Sequence, residues 1–522
     1  MRIGGWQATQ RSRMAACFGL FLTVVLAAGV WGELALRLNY DAGWLITVAE
    51  QTLGGRRLYT DIVEINPPLI VWLTQLPVRA ARLFGIDSIL AFRIFVFAMI
   101  AGSVGLMRRP AHQVLGRNHS NFLLLIAVAL VPLTWKYFGE REHLAVILLA
   151  PYLIINSSDA APGTTVPTRV AAGLLAGLGF SLKPHFAPLF LITCVLRRRP
   201  WRTLAGFEHQ AAALAAMVLY AMAALPSLQD YLALVRTYGG LYWQLLHRPG
   251  LEILFGNAAG LTAIATMLTY AGLRPTIARP SVPDSLAVAC CWFLAVVVLQ
   301  GKGLSYHYYP AFVLGLLTIG WVLLDPEPAR PVSPRQSFRV VAAALLAAAL
   351  SLGAARTAWS LVDDVGPEAG KFGELVRLID RLAPGGTFAA LDMELAESFP
   401  AANYTTASWD LGWPSIWFIE PVYRAELQAG MVLRTHEPAA MTGAERAGYS
   451  SVVRQLIGRR PDVLLFRRAV PGARSGTDRF DFLPYFTKDS ALDDLLARCY
   501  ERLADTLGRA VFRRSRRPGR CQ

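Results

Sequence analysis

The sequence predicts a polytopic α-helical membrane protein that ends in an extracytoplasmic α/β domain. Three observations carry that class. Of 522 residues, 54% are hydrophobic and only 17% charged, whereas about a quarter of a soluble domain is usually charged. The apolar residues gather into long runs before residue 358, and the segment 359–522 is hydrophilic and mixed in pattern. The third observation is the balance of 51 Lys+Arg against 36 Asp+Glu, a net charge of +15. That excess suits nucleic acid, anionic lipid or loops biased to one side of a bilayer until the charges are placed along the chain.

A bilayer core of about 30 Å needs roughly 17 to 25 apolar residues per helix, and about eleven stretches qualify as spans. They lie near 14–32, 88–107, 120–135, 143–157, 169–182, 185–197, 208–225, 252–273, 284–300, 308–324 and 339–357. Arg2, Arg11 and Arg13 precede the first run, as in a signal peptide. The run is nearly long enough to span and lacks a clear small-x-small cleavage site, so it reads as an uncleaved helix.

Orientation follows from Lys and Arg in short loops, which stay cytoplasmic. With the N-terminus inside, the inner turns carry Arg108, Arg109 and Arg117; Arg197, Arg198, Arg199 and Arg202; Arg274 and Arg279; and Arg330, Arg335 and Arg339. The nearly neutral turn around residue 160 is the exception. An odd number of spans places everything after about residue 360 outside. The expected division is a transmembrane module at 1–358, with a first outer loop at 33–87, and an outer domain at 359–522.

In that outer domain Leu375, Leu378, Ile379 and Leu382 recur at helical spacing before Pro384-Gly385-Gly386, and Thr387 to Leu391 reads as a strand. A second helix-to-strand unit is Val452 to Gly458 followed by Val463 to Phe466. Ala491 to Leu507 reads as a third helix with Leu492, Leu495, Leu496 and Leu503 on one face. Arg513, Arg514, Arg516, Arg517 and Arg520 form a solvated basic tail suited to anionic lipid.

Six cysteines exclude a disulfide-dense scaffold. Cys17, Cys194, Cys290 and Cys291 lie in apolar runs and read as inert packing residues. Cys499 and Cys521 have no zinc spacing around them; a disulfide between them and a free tail both remain open. Gly173, Gly177 and Gly179 have small-residue spacing inside a span with no preceding strand, which reads as helix packing rather than a nucleotide loop. The sequons at Asn118, Asn156 and Asn403 are three-residue matches and carry no weight.

Polar residues beside the spans gather on the outer side. The first outer loop holds Asn39, Tyr40, Asp41, Tyr59, Asp61, Glu64 and Asn66-Pro67-Pro68. Further outer turns hold Lys136 to His143, Lys183-Pro184-His185, Asp230 to Arg248 with its tyrosines, and Gly301-Lys302-Gly303 to Tyr309. Ionisable groups near an apolar phase are costly and tend to be paired or functional. An outer cavity with an acid on one loop and cations on others suits a lipid bearing an anionic head group. Glycosyl transfer from such a lipid needs a carboxylate to deprotonate the nucleophile and positive charge to stabilise the departing phosphate.

The run Asn39-Tyr40-Asp41-Ala42-Gly43-Trp44, followed by Gly54-Gly55, Tyr59, Asp61, Glu64-Ile65-Asn66-Pro67-Pro68-Leu69 and Trp72, resembles the first outer loop of GT-C glycosyltransferases. That superfamily includes the protein O-mannosyltransferases and the lipid A aminoarabinose transferases, and the resemblance is of the glycosyltransferase family 39 type. It covers the architecture of the whole chain, with its specific motifs in residues 36–73. It implies the GT-C fold, the role of general base for Asp41, and a periplasmic or interfacial helix at Pro67 to Phe84. The family's Glu-Lys-Pro-Pro-Leu element has a lysine facing the donor phosphate. Here Glu64-Ile65-Asn66-Pro67-Pro68 lacks it, so the phosphate contact is sought at Lys302, Arg141 and Lys183.

Each candidate has a plainer alternative. Asp41 also suits a helix cap. Glu64 and Asn66 could shape the turn before Pro67, and Arg141 could pair with Glu140 or Glu142. Lys183 could snorkel to the interface, and the tyrosines around His307 could be an aromatic belt. His143, His185 and His307 have no local ligand spacing, so neither a metal nor another cofactor is expected.

The expected activity is an inverting transfer of a sugar from a polyprenyl-phosphate donor to an envelope glycan, lipid or protein, on the periplasmic face of a bacterial inner membrane. Asp41 would be catalytic, and Lys302, Arg141, Lys183, His185, His307, Glu64, Asn66 and Tyr59 would bind the donor. Nucleic acid is no partner, because the arginines follow topology. A flippase for lipid-linked sugars is the alternative, although transporters usually place ionisable residues at mid-membrane in repeated halves. A ligase using pyrophosphate-linked polymer is disfavoured by the early Asp41 motif.

Overall fold

The computed structural model describes residues 2–157, 164–196, 207–245, 247–325, 336–363, 370–429, 433–473 and 476–515. The arginines 197–199, 202, 330 and 335 expected on the inner side, the turn near residue 160, the tail arginines 516, 517 and 520, and Cys521 lie outside the described residues; Arg513 and Arg514, expected in a solvated tail, are instead strand residues paired with Glu501 and Asp462. The chain divides into two compact units, each assembled from separated stretches. The first comprises Met1–Leu36, Leu90–Ala224 and His247–Asp364; the second comprises Arg37–Ile89, Leu225–Leu246 and Val365–Gln522.

Among the described residues the first unit is built from helices and the turns that join them. Backbone polar groups must be satisfied within the segment wherever water is excluded, and an α-helix does this along its length. Among the described residues the apolar stretches fall mainly on helix, the expected span 252–273 being broken at Gly256 and Asn257. Among the described residues five helices are long and apolar enough to cross a membrane: Arg13–Ala35, Ser88–Thr134, Glu208–Gln244, Ser281–Gln300 and Ser305–Leu324. Val166–Ser181, Pro184–Val195 and Arg339–Gly353 are shorter apolar helices. The helix Tyr309–Leu324 is buried from Tyr309 to Val322 and packs against Ser281–Gln300 and Ala258–Leu273. Gly173 and Gly177 face the helix Glu208–Gln244 so closely that a Cβ would strike the carbonyls of His209 and Ala213. Small residues let two helix backbones approach in this way. Of the four cysteines in apolar runs only Cys290 is buried; Cys17 and Cys291 lie on exposed helix faces.

The second unit contains the loop 37–89 and the C-terminal α/β segment. Five strands, β1 (Thr387–Leu391), β2 (Ser408–Trp409), β3 (Val463–Arg467), β4 (Tyr500–Arg502) and β5 (Arg509–Arg514), form one sheet in the order β2-β1-β3-β5-β4. β1 pairs in parallel with β2 and β3, and β5 runs antiparallel to β3 and β4. The helices Gly370–Leu382 and Gly443–Arg459 precede β1 and β3, as the alternating apolar pattern predicts. The expected helix 491–507 is shorter. It ends at Cys499, and Tyr500–Arg502 becomes a strand because a turn with positive φ at Leu507 and Gly508 lets it pair with β5.

The loop 37–89 is integral to this unit. Its helix Tyr40–Leu53 is buried from Ala42 to Ala49, and Gln51 Nε2 donates to the carbonyls of Trp409 and Leu411 at 3.0 and 3.3 Å. Asn403 Nδ2 donates to Gly43 O at 3.0 Å, and Val63 N to Gly412 O at 2.7 Å. A second helix, Leu69–Phe84, buries one face and exposes Leu76, Leu83 and Phe84 on the other.

A Cβ at Gly412 would collide with the carbonyl oxygen of Asp61, so Gly412→Ala must displace the loop. That kind of overpacking costs about 1–3 kcal/mol and lowers the thermal midpoint of the purified protein. Gly458 is helical with open space around its Cβ position, and Gly458→Ala is expected to shift the midpoint upward or leave it unchanged. Equal shifts for the two variants would remove the packing explanation.

Candidate active site

The candidate residues fall into two groups, one in each unit. In the second unit Asn39 caps the helix Tyr40–Leu53: its Oδ1 accepts from the backbone N–H of Asp41 at 2.6 Å and of Ala42 at 3.3 Å. Asn39 is therefore the cap, and the half-buried Asp41 follows it in the first turn. Negative charge is favourable there because the helix amides point toward it. Trp44, three residues on, donates its indole N–H to Glu64 Oε2 at 2.7 Å. Glu64 Oε1 accepts from Asn66 N at 2.9 Å and from Asn66 Nδ2 at 2.5 Å. The Tyr59 hydroxyl donates to Asn66 O at 2.8 Å. Trp44, Glu64, Asn66 and Tyr59 thus form one chain of hydrogen bonds that fixes the loop to the helix carrying Asp41. Glu64, 3% exposed, is the centre of that chain.

In the first unit the structure brings together Arg141, Lys183, His185, Lys302 and His307. Arg141 and Glu142 begin the helix Arg141–Ile155, with Glu140 just before it. Lys183 sits at the turn between two short apolar helices and His185 in the first turn of the second, and Lys302 follows Gly301, which closes the preceding helix in the left-handed conformation (φ 67°). Lys183 Nζ lies 2.5 Å from Glu142 Oε1, and His307 Nε2 lies 4.0 Å from the same oxygen. The Lys183 ammonium also stands over the Tyr306 ring, 5.8 Å from its centroid. Arg141, Glu140, Glu142, Lys183, Lys302 and His307 are all buried. Among the described residues Glu142 Oε2, His185 Nε2 and His307 Nδ1 are buried without a hydrogen-bond partner. Such atoms are uncommon and call for an explanation.

Three buried cations in one place repel one another. Burial, helped by Arg141, pushes the Lys183 ammonium below the ordinary lysine range against the pull of Glu142. Lys302 falls to about 7, first through burial and then through the charges of Lys183 and Arg141. The cluster thus holds two lysines below the ordinary lysine range, Lys302 at about 7.

The sequence reading missed Glu142 as the partner of Lys183, since it weighed that carboxylate only against Arg141. It also missed the pivotal position of Glu64, whose two partners are 20 and 2 residues away. His143, considered with the other histidines, is occupied structurally: Nδ1 accepts from Gly139 N at 2.9 Å and Nε2 lies 2.8 Å from Leu130 O. Among the described residues no three His, Cys, Asp or Glu side chains are grouped to hold a metal ion.

No family model and no curated protein matches the chain. Among solved structures it is similar to the archaeal oligosaccharyltransferase AglB from Archaeoglobus fulgidus, in complex with an inhibitory peptide and a dolichol-phosphate. The identity is 12% and the TM-score 0.42, covering 95% of this chain and 74% of that one. It is also similar to the arabinofuranosyltransferase AftD from Mycobacteria, at 14% identity and TM-score 0.44, covering 95% of this chain and 40% of that one. The chain therefore spans less than half the length of AftD.

The Lys302 shift fixes the sign of a pH effect. The folded lysine titrates near 7 and the unfolded one near its ordinary 10.5. Between these values the folded state binds fewer protons, so stability rises with pH across that window, and the penalty is full below it. Lys302→Met is expected to raise the thermal midpoint more at pH 6 than at pH 9. The same increment at both pH values would contradict the assignment.

Proposed function

We propose that the chain is an inverting glycosyltransferase that moves a sugar from a polyprenyl-phosphate donor to an envelope glycan, lipid or protein at the outer face of a bacterial inner membrane. The observation that carries the reading is the buried cluster of Arg141, Lys183 and Lys302, whose repulsion an anion would relieve. The resemblance of residues 36–73 to GT-C loops supplies the second half, the acid at Asp41.

Asp41 takes the proton of the acceptor hydroxyl or amine as that atom attacks the anomeric carbon. The bond from that carbon to the phosphate oxygen breaks in the same displacement, so the configuration inverts. The electron pair leaves on polyprenyl phosphate, which gains negative charge and needs no acid. Lys302 and Arg141 bind that phosphate directly. Lys183, already paired with Glu142, contributes its field, and the buried nitrogens of His185 and His307 donate to the phosphate or to the sugar. Glu64, Asn66 and Tyr59 hold the loop that presents Asp41 and border the donor sugar. The outer α/β domain assists with the acceptor.

The test uses purified protein with lipid-monophosphate sugars, in detergent and in liposomes. Transfer releases polyprenyl phosphate, whereas a flippase moves the donor across the bilayer unchanged. Asp41→Asn is expected to lower release by about 10²–10⁴-fold, the range for removing a general base, with folding and donor binding kept. Full activity of that variant, or translocation of intact donor with no release, would overturn the proposal. Comparing the envelope glycans of a deletion strain with those of its parent identifies the sugar and acceptor.

A further inference from the structure

The helix Glu208–Gln244 is 37 residues long, about 55 Å at 1.5 Å per residue, against about 30 Å for a bilayer core. Apolar residues dominate it as far as Leu228, and the charged residues Asp230 and Arg236 follow. Its part from Leu225 onward belongs to the second unit. There it joins the loop at Tyr59–Val63 and the helix Gly443–Arg459 to enclose an open cleft of about 620 Å³. That volume falls within the roughly 300–1,000 Å³ of ligand-binding pockets.

The lining has a specific chemistry. Arg446, Ser450 and Arg454 line the cleft at spacings of four along one helix, which places them on one face. The two arginines stand about 12 Å apart along the axis, farther than one sugar ring extends. Both are exposed. Arg446 donates to Ala439 O at 2.8 Å, and among the described residues neither arginine is in an ion pair. Asp230, Tyr238 and Tyr59 come from the other two elements, and Asp230 Oδ2 accepts from Thr60 Oγ1 at 3.3 Å. Tyr59 holds a φ of 70°, rare for a bulky residue. It is kept there by a bond from its N–H to Ile62 O at 2.9 Å and by its ring against Tyr231 at 5.1 Å. Strain of this kind persists where the surroundings over-determine it, and it gathers at binding sites.

Guanidinium forks match carboxylate and phosphate. Tyr59 and Tyr238 are buried against other aromatic rings and form a firm wall of the cleft, and Ser450 and Asp230 suit hydroxyls. We infer that this cleft binds an anionic saccharide of more than one ring, carrying carboxylate or phosphate groups, as the acceptor of the transfer. The acceptor role rests on the function proposed above; the binding does not. Asp230 disfavours a bare anion, so the hydroxyls of the ligand are part of its recognition.

The intact protein in detergent micelles is titrated calorimetrically with an oligogalacturonate, a phosphorylated oligosaccharide, a neutral oligosaccharide of equal length, and inorganic phosphate. At least one anionic oligosaccharide is expected to bind about tenfold or more tightly than the neutral one and than phosphate; comparing the two anionic sugars distinguishes carboxylate from phosphate recognition. The double variant Arg446→Gln/Arg454→Gln is expected to lose that preference. Ala447→Trp, which fills the cleft and keeps both charges, is expected to weaken all binding. Equal binding of neutral and anionic sugars, phosphate binding as tightly as either, or an unchanged double variant would overturn the inference. Binding without any transfer by the parent would instead remove the proposed function and leave the cleft standing.

Discussion

The second unit depends on one close approach, the backbone of Val63 against that of Gly412. The bond from Val63 N to Gly412 O is 2.7 Å long and joins segments about 350 residues apart in sequence, which only a large burial can offset in chain entropy. Around it Gln51, Asn403 and the Arg56–Asp410 ion pair repeat the same connection. Trp44 packs edge-on against Phe399 at 5.6 Å, so apolar contact accompanies the polar bonds. The loop is thus part of a folded domain, and the position of Asp41 is set by the same contacts that set the sheet edge. The hydrogen bonds through Glu64 and Asn66 extend that rigidity to Tyr59 and the cleft.

A different constraint governs the first unit. Removing an ion from water costs several kcal/mol, and a partner offsets that cost only when the geometry is good. Arg141, Lys183 and Lys302 cannot all stay buried and charged without carboxylates, and Glu140 and Glu142 are the carboxylates beside them. Two acids against three bases leave the group close to neutral but unbalanced by one charge. Burial and the charges of Lys183 and Arg141 hold Lys302 below the ordinary lysine range.

Much of this was legible in the sequence. The apolar stretches marked the helices because their period and length follow directly from burial, and Pro384-Gly385-Gly386 marked the end of the Gly370–Leu382 helix before β1. Asp41 and the loop around it stood out through their resemblance to a family motif. The end of the helix at Cys499 was hidden, since Leu503 continues the helical spacing while Leu507 and Gly508 reverse the chain. Gly412 was illegible for a different reason: its significance lies in a backbone 350 residues away, and no local pattern records it. The pairing of Lys183 with Glu142 was hidden in the same way, because it crosses between two turns. The arginines of the cleft looked like ordinary surface charges, since their meaning depends on the helix that faces them.

That excess of one cation bears on the chemistry proposed. In an inverting displacement the phosphate arrives carrying one charge and leaves carrying nearly two, so a useful site must hold the second more strongly than the first. A cluster with fully matched carboxylates would give no such preference, and one with none would not stay buried. In the proposed reaction Lys302, lowered by burial and by the charges of Lys183 and Arg141, is the cation that an arriving phosphate would favour in its charged form. Glu142 sets the limit on that response by holding Lys183. A carboxylate that weakens the attraction for phosphate in the resting cluster is therefore what allows the remaining cations to be buried at all.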